Sequence, residues 1–148
     1  MERALAVVDA DESTKALVRE AGELAAAVGA ELALLHVTSS DEYEETRQKM
    51  ESIPNSPVGY SAEKAREGAE DFAADVGREV LEGIDVSYEA VGRVGDEQSE
   101  ILAAADEYDC DHLFIAGEKR SPTGKALFGD LTQSIILNFD GPVTVVTE

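Results

Sequence analysis

The sequence predicts one α/β domain in which five strands alternate with four helices and form a single parallel, doubly wound sheet. Three observations lead to this fold class. Short apolar runs without alternation, such as residues 3–8, are typical of strands buried on both faces. Stretches with apolar residues at helical spacing separate these runs. The chain has 148 residues, 43% of them hydrophobic, which is enough to bury the core of one domain.

The first part of the chain predicts two buried strands, at residues 3–8 and 31–37, joined by a helix. Either Ser13 or Asp11 can cap the start of this helix, and Gly29 is a suitable stop. The apolar residues at helical spacing predict its buried face, which is Leu17, Ala21, Leu24 and Val28.

Residues 39–60 interrupt the pattern with two prolines and several charges. Residues 41–50 can form a short exposed helix, and the rest predicts a long mobile insertion within the domain of residues 1–148. More than twenty residues without a core pattern are unusual in a compact domain. We interpret the segment as a tolerated insertion, with a lid or a partner surface as the alternative.

The rest of the chain predicts three more strands, at residues 84–91, 111–116 and 143–147. Gly92, Gly95 and Asp96 predict a turn after the first of these strands. The intervening helices have apolar faces at Ala65, Ala69, Phe72, Val76 and Val80, at Ile101, Leu102, Ala105 and Tyr108, and at Leu127, Leu131, Ile135 and Asn138.

The chain carries 32 acidic and 12 basic residues, a formal net charge of −20. This charge repels nucleic acids and anionic membranes, and we expect neither as a partner. The acids are spread over every segment, which favours halophilic adaptation over an acidic partner-binding face. No apolar run reaches the roughly 18–20 residues of a membrane span, and the start lacks a signal-peptide pattern. We therefore expect a cytoplasmic protein.

Patterns of covalent, acid–base or metal chemistry are missing from the sequence. A Rossmann glycine motif does not follow the first strand, and Ala126 replaces the hydroxyl residue of a P-loop. The two histidines, His36 and His112, lie within strand runs, where a structural role is expected. Cys110 is the only cysteine, lies between two aspartates, and is expected to be inert. The sequence therefore predicts no catalytic residues, no metal site and no enzyme.

The strongest candidate site lies between the fourth strand and the last helix. An apolar strand ends at Gly117 and a glycine-containing loop leads into a helix, which is an arrangement that offers backbone N–H groups to an anion. Three of the twelve basic residues lie in this loop, namely Lys119, Arg120 and Lys125. Because ligands of doubly wound sheets bind at the carboxyl ends of the strands, Asp9 and Val37 are expected near this loop.

Five segments in this order resemble the universal stress protein family. They are AVVD at residues 6–9, LLHV at 34–37, DHLFIAG at 111–117, SPTGKALFG at 121–129 and PVTVV at 142–146. The resemblance covers nearly the whole chain. The acidic composition makes the chain resemble a haloarchaeal member of the family. It implies a five-stranded sheet in the order 3-2-1-4-5 and a homodimer that pairs through the C-terminal strand.

One branch of the family binds ATP through a Gly-x2-Gly-x9-Gly-Ser/Thr pattern, which the resemblance places on residues 117–130. Gly129 matches the last glycine. Either Gly117 is one residue too close to it, or Ala116 stands at the first glycine. The second glycine is replaced by Arg120 or Lys119, so the motif is degenerate.

Asp130 stands where the ATP-binding branch has Ser or Thr. Its carboxylate repels phosphate by about 1 kcal/mol when solvated. Asp130 is also a good N-cap, with Gln133 at capping-box spacing, so it can instead cap the last helix.

The sequence therefore predicts a stress-response protein with a pocket that binds ATP or another adenine nucleotide weakly, with Mg²⁺ as a companion ion and without efficient catalysis. The alternative is a dimeric interaction or regulatory module of the same fold without ATP. A third hypothesis is an enzyme acting on a phosphorylated metabolite. The candidate binding residues are Asp9, Val37, Ala116, Gly117, Lys119, Arg120, Lys125, Gly129, Asp130 and Leu131.

Overall fold

A computed structural model describes residues 1–52, 60–117 and 129–147. Five parallel strands form one sheet in the order β3-β2-β1-β4-β5, which confirms the predicted fold class and the strand order 3-2-1-4-5. The strands are β1 (Arg3–Val7), β2 (Glu31–Ser39), β3 (Tyr88–Gly95), β4 (His112–Ala116) and β5 (Val143–Val146). The helices are α1 (Ser13–Val28), α2 (Ser40–Glu51), α3 (Ala62–Val80), α4 (Glu97–Glu107) and α5 (Asp130–Asn138).

The sheet separates two hydrophobic cores, because successive strand residues point to opposite faces. Along β1, Ala4 and Ala6 face the core formed with α1 and α3, whereas Leu5 and Val7 face the core formed with α4 and α5. Ala4, Leu5 and Ala6 are completely buried. This double burial explains why β1 is a continuous apolar run rather than an alternating one.

The predicted helix of residues 41–50 is confirmed as α2. Ser39 caps it by accepting a hydrogen bond from the backbone N–H of Glu42 at 3.1 Å. The helix has no buried residue, and Arg47 pairs with Glu44 and Glu51 along its surface. The remainder of the predicted insertion includes residues 53–59, which lie outside the described residues.

The predicted bounds of the third strand are wrong. β3 begins at Tyr88 and continues through Gly92 to Gly95, where a turn was expected. The physical reason is the length of β2, because β3 pairs with it over eight residues. The first pair is Leu32 with Tyr88, and the last is Ser39 with Gly95. The apolar residues before the strand pack against the core without joining the sheet.

The predicted buried face of α1 is also wrong in part. Leu24 and Val28 are exposed by 38% and 53%, while smaller residues on a neighbouring stripe are buried. The buried residues are Thr14, Leu17, Val18, Ala21, Gly22 and Ala25. Small side chains let the helix approach the sheet closely, and this close packing decides which stripe faces inward.

The expected cap of α1 is wrong as well. The N-cap residue is Glu12, and it makes no side-chain capping hydrogen bond. The Ser13 hydroxyl instead donates to the Asp11 carboxylate at 2.5 Å. The first turn is held by backbone bonds and by Thr14 Oγ1, which accepts a hydrogen bond from the backbone N–H of Asp9 at 2.6 Å.

None of the helices in the described part of the chain is both long and apolar enough to cross a bilayer.

Close contact between α3 and β3 depends on Gly92. A Cβ at this position would lie 2.2 Å from the backbone oxygen of Arg66 and 2.4 Å from the backbone nitrogen of Glu70. Both contacts are to backbone atoms, so no side-chain rotation can relieve them.

We predict that Gly92→Ala lowers the free energy of unfolding by about 1–3 kcal/mol, because α3 must move away from the sheet. Thermal denaturation followed by circular dichroism measures this loss. Gly68→Ala, in α3, is the matched control, since a Cβ there meets no atom within 4 Å beyond the backbone of the helix itself. The control should stabilise the helix by roughly 0.5–1 kcal/mol. A Gly92→Ala variant that melts with the wild type contradicts the packing described above.

Candidate functional site

The carboxyl ends of the parallel strands meet at one edge of the sheet, as predicted. Asp9 lies two residues after β1, and Val37 lies near the end of β2, where it is 7% exposed. Gly117 follows β4, and its backbone N–H donates to the Val146 oxygen at 2.9 Å. The basic candidates Lys119, Arg120 and Lys125 lie outside the described residues.

The start of α5 is attached to the end of β4. The Thr132 hydroxyl donates to the backbone oxygen of Ala116 at 3.1 Å, and the Thr132 side chain is buried. This contact fixes the first turn of α5 beside the carboxyl edge of the sheet. Sequence reasoning missed Thr132, although a hydroxyl residue in the first turn of a helix after a strand is a recognisable signal.

Asp130 does not cap α5, which was the alternative role that the sequence offered for it. The N-cap residue of α5 is Gly129, and no side-chain capping bond is present. Asp130 is already in the first helical turn, while the backbone N–H of Gln133 donates to the Gly129 oxygen at 3.0 Å. The carboxylate therefore contributes only the roughly 0.3–1 kcal/mol that a helix N-terminus gives to a nearby negative charge.

An open cleft of about 520 Å³ lies between the ends of β2 and β3 and the start of α5. The described residues that line it are Ser39, Ser40, Asp41, Gly95, Asp96, Glu97, Gln98, Asp130 and Leu131. Two of the predicted site residues, Asp130 and Leu131, are thus brought into one cavity. Asp9 and Val37 lie at the same sheet edge but do not line this cleft.

Pairing between β2 and β3 brings three acidic residues of the cleft together, Asp41, Asp96 and Glu97, and sequence reasoning missed these three as site residues. Ser39 pairs with Gly95, so Asp41 and Asp96 start their helices side by side. Asp96 caps α4, and its carboxylate accepts from the backbone N–H of Ser99 at 3.0 Å and from its hydroxyl at 2.8 Å. These bonds lower the pKa of Asp96 and keep it ionised. The Asp-x-x-Ser spacing was the available signal.

Negative charge accumulates at this edge. Burial raises the pKa of the Asp9 carboxyl, and the nearby charge of Asp11 raises it further. Burial likewise raises the pKa of Glu97, with additional repulsion from Asp9 and Glu42. Both carboxyls therefore resist ionisation more than solvated acids do.

The histidines have structural contacts, as the sequence indicated. His36 Nδ1 donates to the Val8 oxygen at 2.7 Å, and its ring packs on Phe72 with centroids 4.6 Å apart. His112 Nε2 lies 2.7 Å from the Thr144 hydroxyl oxygen.

Cys110 is 9% exposed, and burial raises its pKa to about 11. Its thiol is therefore protonated at neutral pH and unreactive, as expected. Within the described ranges, no group of three or more His, Cys, Asp or Glu side chains has the arrangement of a metal site.

A second cavity, of about 170 Å³, lies at the opposite edge of the sheet, beside Arg3, Glu31 and Tyr88. The guanidinium of Arg3 is paired with Glu31 and donates to the Tyr108 oxygen at 3.0 Å. Because its cation is already engaged, this cavity is a weaker candidate for an anionic ligand.

We predict that Asp9→Asn stabilises the protein at neutral pH. The pKa of Asp9 is raised in the folded state, so the folded carboxyl keeps its proton more tightly than the unfolded one. Its favourable contribution is complete below the unfolded pKa and is lost as pH rises through the folded pKa.

The variant should therefore melt above the wild type at pH 7 and together with it at low pH. Thermal melts of both proteins across this range measure the difference. Glu20→Gln, at an exposed position on α1, is the control and should show no such pH-dependent difference. A wild type that melts above Asp9→Asn at neutral pH contradicts the assigned burial of the charge.

Comparisons with known protein families and with solved structures point to the same family. The family model described as "Universal stress protein family" matches residues 1–147. The structure of a universal stress protein from Archaeoglobus fulgidus matches with a TM-score of 0.61 and 22% identity, covering 98% of this chain and 97% of that one. Curated proteins give no match.

Two further solved structures contain nucleotides. A universal stress protein in complex with cAMP matches with a TM-score of 0.63 and 18% identity, covering 99% of this chain and 96% of that one. The Archaeoglobus fulgidus protein in complex with dAMP matches with a TM-score of 0.57 and 18% identity, covering 98% and 96%. The shared fold and the match over residues 1–147 show that the chain belongs to the universal stress protein family.

Proposed function

We propose that this chain is a cytoplasmic stress-response protein that binds an adenine nucleotide weakly at the carboxyl edge of its sheet. One observation carries the proposal. The start of α5, with Gly129 at its cap, is held against the end of β4 by Thr132 and opens onto the 520 Å³ cleft. A helix start of this kind is suited to a phosphate group. The family relatives solved with cAMP and dAMP support a nucleotide as the ligand.

The affinity for ATP is expected to be low, because Asp130 lines the cleft at the position where a phosphate would approach. A bound Mg²⁺ would offset part of this repulsion by neutralising phosphate charge. Asp9 and Val37 are proposed to lie beside the base and ribose.

We propose binding without efficient turnover. The sequence carries no recognised pattern for covalent, acid–base or P-loop chemistry, which supports this expectation. Any ATP hydrolysis is therefore expected to be slow.

The second candidate function is a dimeric interaction module without ATP. The fully surface-lying helix α2 favours it, because the helix buries no residue of its own against the domain. With this function the cleft does not bind ATP, and α2 or the dimer surface contacts the partner.

We predict that Asp130→Ser strengthens ATP binding about fivefold, since it removes roughly 1 kcal/mol of repulsion. Calorimetric titrations with ATP and with AMP measure the change at low salt, where the repulsion is least screened. The substitution is interpretable because Asp130 makes no capping bond that its loss would break.

Asp130→Asn separates charge from hydroxyl chemistry, since it removes the charge without adding a hydroxyl. It should recover most of the gain. Absence of ATP and AMP binding in the wild type and in both variants contradicts the nucleotide proposal and favours the interaction module.

A homodimer that pairs through β5 is the proposed assembly. β5 is an edge strand, with β4 on one side only. The Pro142 and Val146 oxygens accept bonds from the β4 side, so Val143 and Val145 present their backbone groups to the open edge. An apolar open edge invites pairing with another strand.

We predict that light scattering gives twice the mass of one chain and that Leu137→Glu weakens the dimer. Leu137 is 76% exposed on α5, the helix that precedes β5, and is expected to lie beside the interface. Val28→Glu is the control, because Val28 is 53% exposed on α1 and away from β5. A protein that is monomeric at every concentration contradicts this assembly.

A further inference from the structure

The described wall of the cleft carries only negative charge. Of the nine described residues that line the cleft, four are acidic and five are neutral. The acidic residues are Asp41, Asp96, Glu97 and Asp130. They come from three different helix starts, those of α2, α4 and α5.

Ion pairing does not cancel this charge within residues 1–52, 60–117 and 129–147. The salt bridges in these ranges join other acids, such as Glu107 with Arg93 and Glu31 with Arg3, and none includes an acid of the cleft. Burial raises the pKa values of Glu97 and Asp9, and repulsion from neighbouring acids raises them further.

We propose that the cleft selects its ligand by charge, taking adenosine or a nucleoside monophosphate in preference to a triphosphate, and that salt strengthens the binding of the more highly charged nucleotides. This inference rests on the proposed function. Each added phosphate charge enters a cavity lined by four carboxylates in a chain of net charge −20, so repulsion increases from adenosine to AMP to ATP.

Salt has the opposite effect here from its usual effect on anion binding. The Debye length falls from about 8 Å at physiological ionic strength to about 3 Å at 1 M. Screening therefore removes repulsion across a cleft of this size, and ATP affinity rises with salt. Adenosine carries no charge, so its affinity reports every non-electrostatic effect of salt and serves as the internal reference.

The test is calorimetric titration of the full chain with adenosine, AMP and ATP, without divalent cations, at low and at molar KCl. Circular dichroism at each salt concentration verifies that the protein is folded. At low salt we expect ATP to bind at least about tenfold more weakly than adenosine, and this ratio to shrink severalfold in molar salt.

A double variant, Asp41→Asn with Glu97→Gln, tests the cleft charges directly. It should strengthen ATP binding at low salt about fivefold and reduce the salt dependence, with adenosine unchanged. The matched control is Glu82→Gln with Asp85→Asn, which removes the same charge at exposed positions before β3, on the opposite edge of the sheet. It should leave the ratio of ATP to adenosine affinity as in the wild type.

Three outcomes overturn the inference. If ATP binds as tightly as adenosine at low salt, or weakens as salt rises, cations dominate the site and the charge selection is wrong while the nucleotide function stands. If the control variant changes the ratio of ATP to adenosine affinity as much as the cleft variant does, the net charge of the chain determines this ratio and the cleft charges do not. If no ligand binds at any salt concentration, the proposed function fails together with the inference.

Discussion

Burial of β1 on both faces is the constraint on which the rest of the structure depends. The strand lies in the middle of the sheet, and Ala4, Leu5 and Ala6 have no exposed surface. Helices must therefore cover both faces, and each connection between neighbouring parallel strands must cross over the sheet. The strand direction that results places the end of β1, the end of β2 and the start of α5 at a single edge. The candidate site is a consequence of this burial.

The same geometry concentrates charge. Among the helices that start at this edge, α2, α4 and α5 start beside the cleft, and acids are favoured in the first turn of a helix. Asp41, Asp96 and Asp130 each suit the local helix, yet together they line one cleft. The acidic side chains that stabilise each helix start thus repel a ligand that carries several phosphate groups. In a chain of net charge −20, the balance between these effects is expected to depend on salt.

Local patterns in the sequence predicted the buried strands and the face of α3, because burial on both faces leaves an uninterrupted apolar run and a long helix repeats its apolar residues regularly. They failed where tertiary packing decides. The inward stripe of α1 follows the small residues Ala21, Gly22 and Ala25 rather than Leu24. The acidic wall of the cleft depends on the pairing of Ser39 with Gly95, which no local spacing reveals. The N-cap of α5 is Gly129, so Asp130 is already the first residue of the helix and does not cap it.

The central claim is that the carboxyl edge of the sheet is an adenine-nucleotide site. Backbone amide chemical shifts of isotope-labelled protein, titrated with AMP in molar salt, test it most directly, because they locate the ligand even when binding is weak. We expect the largest changes at Asp9, Val37, Gly95 and Asp130, with none around Arg3 and Tyr88 at the opposite edge. Changes confined to the opposite edge, or no changes at all, would contradict it.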